Sequence, residues 1–194
     1  MTSRTRSFTT LAALAVLAYG AVTPARALTL ADVRGQASVG YAKLFTSDAP
    51  GGSLSTAAGV SIPVHGDWGL GLGIAFNLLG SRTVPRGSLI ASVDYSMFEA
   101  GLFAHWSPPR LGPVGLISFG PEVVNARAEL STSGGGAGFR DLAVEEVAPG
   151  AALDVTLITR KVTPVRVGLE LSGRHAFMTG DDWSLASARL VFHY

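Results

Sequence analysis

The 194-residue chain contains no cysteine. That excludes a disulfide framework and thiolate metal sites, and leaves no N-terminal cysteine for lipid attachment. It also lacks an excess of one charge, with 15 Lys and Arg against 14 Asp and Glu. No concentrated basic face of the kind that binds nucleic acid is expected. The four histidines (His65, His105, His175 and His193) are scattered. None has the spacing of an H-E-x-x-H metal motif, so neither a metal nor a cofactor is expected. Finally, no apolar run is long enough for a spanning helix, which needs about 20 residues. If the chain enters a membrane, it does so as strands.

The most apolar stretch, "LAALAVLAYGAV" (Leu11 to Val22), has a different use. Arg4 and Arg6 precede it, and the small-x-small triplet Ala25, Arg26, Ala27 follows. This is the pattern of a cleaved secretory signal, expected over residues 1–27. Residues 28–194 then form one domain. The signal holds three of the basic residues and no acidic ones, which leaves that domain a net charge of −2.

What the sequence does have is glycine (24 residues) and alternation. In "WGLGLGIAFNLL", Trp68, Leu70, Leu72, Ile74, Phe76 and Leu78 share one strand face. Gly69, Gly71, Gly73, Ala75, Asn77 and Leu79 share the other. A helix would scatter these residues around its circumference. Glycine inside a strand marks a face where space is tight, as inside a narrow barrel. Seven more segments read as strands, roughly 35–46, 52–64, 87–106, 114–130, 144–160, 164–177 and 182–194, separated by turn-forming stretches. The expected fold is all-β, an eight-stranded antiparallel up-and-down transmembrane β-barrel. Short turns at "HGD", "SPPRLGP" and "KVTP" fall at one end. Longer connections, including "GSRTVPRG" and the glycine-rich Ser131–Gly138 loop, fall at the other. That asymmetry belongs to outer-membrane barrels.

A membrane barrel turns its apolar face to lipid and its polar face inward. On that basis the interior is expected to hold Asp94, Glu122, Asp154 and Glu170 against Arg166, Arg174 and Arg189, a nearly self-neutralising set in a lumen that side chains fill. Tyr41, Trp68, Trp106 and Trp183 lie near strand ends, where aromatics anchor at membrane interfaces.

The chain stops in mid-strand at "ARLVFHY", with Leu190, Phe192 and Tyr194 on one face. With eight strands, loop asymmetry and this ending, residues 35–194 resemble the small OmpA/OmpX-like barrels of Gram-negative bacteria. The resemblance implies that the terminal pattern is a signal for the barrel-assembly machinery, although the usual final residue is Phe rather than Tyr. It further implies a monomer in the outer membrane, in contact with outer-membrane lipids and lipopolysaccharide, with a structural, surface-interaction or adhesion role and no catalysis. Two alternatives stand beside it. One is an exported calycin-like barrel with an apolar lumen for a small ligand. The other is a lipid-modifying barrel using Ser172, His175, Asp181 and Asp182, which are the residue types of a hydrolase triad. Lipid A deacylase barrels carry a Ser two residues after the His, where this chain has Phe177.

Overall fold

The computed structural model describes residues 32–45, 51–86, 89–133, 142–162, 164–180 and 182–194. The expected signal at 1–27, most of the glycine-rich loop, and Asp181 lie outside the described residues. Eight strands follow in order: β1 (Arg34–Phe45), β2 (Ser53–His65), β3 (Trp68–Arg86), β4 (Leu89–Trp106), β5 (Val114–Ser133), β6 (Leu142–Val162), β7 (Val165–Ala176) and β8 (Trp183–His193). Each pairs antiparallel with its neighbour, and β8 pairs with β1 to close a barrel. Val39 lies opposite Leu190 and Phe45 opposite Ser184, and Gly35 and Tyr194 exchange backbone hydrogen bonds of 3.0 Å. The last residues complete the wall.

The faces sort as the alternation requires. Leu72, Ile74, Phe76, Val123, Leu153, Leu171 and Leu190 point outward and are exposed, Leu72 at 58 %. In water such a surface would drive aggregation; against lipid it is the favourable one. On β3 this outward row runs from Trp68 to Leu78. That is about 33 Å of strand, or about 25 Å of height at a tilt near 40°, which matches a bilayer's apolar band. The inward glycines of β3 make room for large side chains from β4. A Cβ on Gly73 would lie 2.9 Å from the Phe103 ring, and one on Gly71 would collide with His105.

The strands are unequal. β3 to β6 have 19, 18, 20 and 21 residues, whereas β1, β2, β7 and β8 have 12, 13, 12 and 11. The segment expected as the outer loop "GSRTVPRG" is strand up to Arg86. Its pairing with β4 shifts at Leu78/Gly80, where Gly80 takes φ 86° as glycine readily does. Pro85 is tolerated there because the pairing of β3 with β2 ends at Asn77. Beyond that point β3 has no β2 partner among the described residues, and an edge of this kind tolerates proline.

Candidate functional site

The lumen has three levels. At the outer end Ala42, Leu44, Leu79, Met97, Val124, Ala176 and Leu185 form an apolar layer, with Tyr95, Met178 and Trp183 packed on it. Tyr95 and Trp183 have ring centroids 6.1 Å apart. Trp183 therefore lies inside the barrel rather than at the lipid interface. Tyr41, Trp68 and Trp106 do face outward. Trp68 stacks on Trp106 (6.0 Å, 19°) and meets the edge of Phe119 (6.3 Å) at the end that holds the termini and short turns.

The middle level is ionic. Arg174 reaches three carboxylates: Nε lies 3.1 Å from Glu99 Oε2 and 3.5 Å from Glu122 Oε2, and Nη1 lies 2.8 Å from Asp154 Oδ1. Arg189 is 2 % exposed. It donates from Nε to Glu170 Oε1 at 2.8 Å, with Nη2 2.7 Å from the same oxygen and 3.7 Å from Asp154 Oδ1. Its Nη1 reaches Ser55 Oγ at 3.4 Å. Ser55 donates to Asn77 Oδ1 at 2.6 Å, and Asn77 Nδ2 donates to Glu99 Oε1 at 3.1 Å. The chain of contacts thus returns to Arg174 and tethers β2 to β8 across the lumen. A cavity of about 30 Å³ remains among these groups, room for one or two water molecules.

The expected interior set is corrected at two positions. Asp94 points outward and is exposed, opposite Glu129 on β5. It sits above the apolar band, where the outward face is wet, so the lipid-facing logic does not apply to it. Its expected place is taken by Glu99, on the same strand but the other face. Arg166 faces inward but lies exposed at the mouth and makes no ion pair among the described residues. Glu122, Asp154, Glu170, Arg174 and Arg189 are buried together. Four carboxylates therefore face two guanidinium groups. Leu190, Phe192 and Tyr194 form an exposed outward row.

The suspected triad types do not assemble as read. Ser172 is buried inside, whereas His175 faces outward, with Nδ1 2.9 Å from Ser184 Oγ and Nε2 3.7 Å from Asp182 Oδ2. His175 and Ser184 are direct cross-strand partners, and a hydrogen bond between opposed side chains is an ordinary sheet contact.

An apolar belt around a buried ionic interior is the reverse of a calycin, which needs an apolar lumen. The fold is that of an outer-membrane barrel. Solved structures agree at low sequence identity. Neisserial surface protein A matches with a TM-score of 0.59 at 12 % identity, over 84 % of this chain and 96 % of that one. A major outer membrane protein from Thermus thermophilus matches with a TM-score of 0.58 at 11 % identity, over 84 % and 99 %. Ail, the attachment invasion locus protein of Yersinia pestis, matches with a TM-score of 0.53 at 11 % identity, again over 84 % and 99 %. No protein-family model and no curated protein sequence matches the chain. In this class short turns face the periplasm and long connections face outward. The ends of β1 and β8 at Arg34 and Tyr194 are therefore periplasmic, and the long ends of β3 to β6 project outside the cell.

Proposed function

We propose that this barrel is a monomeric surface-interaction protein that binds rather than catalyses, and that its contact surface is the projecting sheet of β3 to β6. The observation that carries this reading is the outer edge of β6. Its ladder with β7 begins at Gly150, and Pro149 O accepts from the Phe177 N–H at 2.9 Å, so Leu142–Ala148 has no backbone partner on that side among the described residues. That segment gives about 23 Å of backbone able to accept another strand, the mode by which sheet edges capture extended peptides. Leu142 and Val144 are exposed on this segment, at 62 % and 70 %. The outward face of the sheet is mainly acidic: Asp94, Glu129 and Glu145 surround Arg127, which pairs with Glu129 at 3.0 Å. An extended segment carrying Lys or Arg is the complementary partner. Ail has been seen with the heparin analogue sucrose octasulfate, but an acidic face repels such a polyanion, so the likeness extends to surface binding and not to that ligand. Lipids and lipopolysaccharide are the partners of the belt. The outward row Leu190, Phe192 and Tyr194 is what the assembly machinery would read during insertion.

The test is adhesion of cells carrying the wild type or Val144→Pro plus Leu142→Asp. The variant should lose attachment while its unboiled band still migrates as a folded barrel. Undiminished attachment would refute the edge as the contact surface.

A further inference from the structure

The third level of the lumen, at the periplasmic mouth, has the composition of a binding site. A cavity of about 420 Å³ opens there, far larger than the space left in the ionic level above it. Gln36, His193 and Arg166 occupy one transverse row of β1, β8 and β7, each directly opposite the next. Arg34 enters from two positions lower on β1 and pairs in register with Ser61. His105 forms the floor, its Nδ1 2.7 Å from Ser118 Oγ. Asp67 is the only carboxylate side chain among the described residues around this space.

Two features show that the groups are not already used. Neither Arg34 nor Arg166 makes an ion pair among the described residues. The Nε2 atom of His193 is shielded from solvent yet has no hydrogen-bond partner, an unusual condition for a buried ring nitrogen. Guanidinium forks match the oxygens of carboxylate and phosphate, and two like charges in one cleft raise the local concentration of the opposite ion.

We infer that the mouth is an oxyanion site, taking a phosphate- or carboxylate-bearing solute from the periplasmic side, with Arg34 and Arg166 as its charged clamps and the His193 ring in its wall. A competing account has the two arginines merely offsetting the surplus carboxylates of the ionic level. In that case their removal changes stability, and no saturable anion binding exists. The projecting sheet and this site lie at opposite ends of the barrel, so either can fail without the other.

The experiment uses the refolded full barrel in an uncharged maltoside detergent, with ¹⁵N-labelled histidine. Inorganic phosphate and succinate are titrated separately at constant ionic strength, and the His193 ring signals and Trp68 fluorescence are followed. Saturable shifts are expected with at least one of them. Phosphate alone, succinate alone, or both would identify the oxyanion class. Arg34→Gln and Arg166→Gln should each weaken binding about tenfold, the loss of a charge-assisted contact. Arg166→Lys should retain part of it, and a heat-modifiable band verifies folding of each variant. The inference is overturned if neither anion saturates up to tens of millimolar, or if both Gln variants bind like the wild type.

Discussion

Removing a guanidinium from the ionic level should cost far more than removing a carboxylate, because carboxylates are in surplus there. In Arg189→Met, Glu170 loses both short contacts, at 2.8 and 2.7 Å, and stays 3 % exposed. Leaving one buried charge unpaired costs about 3–5 kcal/mol. In Glu122→Gln, the lost contact is a single 3.5 Å approach to Arg174. Glu122 Oε1 has no hydrogen-bond partner to lose, and the substitution removes one member of the carboxyl surplus. The cost should be under about 1 kcal/mol, with a gain in stability equally compatible with the argument. The assay is urea titration of barrels refolded into lipid vesicles, following the heat-modifiable band and tryptophan fluorescence together. Equal losses for the two variants would refute the carboxylate surplus as the deciding quantity.

Three further outcomes follow from the geometry. Leu72→Arg places a charge in the outward apolar row and should cost about 2–4 kcal/mol near the midplane; normal assembly and stability would mean that this face does not meet lipid. On the outer side, four residues beyond the level at which β7 ends, Glu146 accepts hydrogen bonds from the Thr179 hydroxyl (2.7 Å) and amide N–H (2.6 Å). These bonds hold its carboxyl below the ordinary value of 4.5. Because the folded value is the lower one, the tether is intact above the ordinary range and is lost as pH falls through the depressed value. The Thr179 amide resonance should titrate with a midpoint below 4.5, and a midpoint at or above it would contradict the contact. Finally, His175→Ala should leave lipid A acylation unchanged in mass spectra of outer-membrane extracts, whereas an altered acyl pattern would reinstate the hydrolase alternative.

Much of the wall is legible from period-two alternation, because in the apolar band every residue must choose between lipid and lumen. The row from Trp68 to Leu78 and the closing segment at Tyr194 follow from the sequence for that reason. Above the band the rule changes sign: water lies outside, and the apolar plug lies inside. In the outer half of β4, alternation makes Tyr95 and Met97 look lipid-facing and Asp94 look luminal. Starting from Phe98, Ala100, Leu102 and Ala104 instead puts Glu99 inside and the plug residues with it. The expectation for Trp183 fails by the same cause, since an aromatic at a strand end can serve the interface or the plug. Strand length past the membrane is also hidden. Pro85 and Gly80 signal a turn in isolation, and only the lack of a β2 partner makes them acceptable in an edge.

The unequal strand lengths give the rim a compass direction. Among the described residues, β7, β8, β1 and β2 end low, while the opposite arc rises above them. Thr179 reaches the margin of β6 as far as Glu146, which leaves Leu142–Glu145 open from the low side among the described residues, with β5 on the other. An incoming segment would therefore arrive nearly parallel to the membrane plane, sweeping over the low arc, and one partner per barrel would be the geometric limit at that margin.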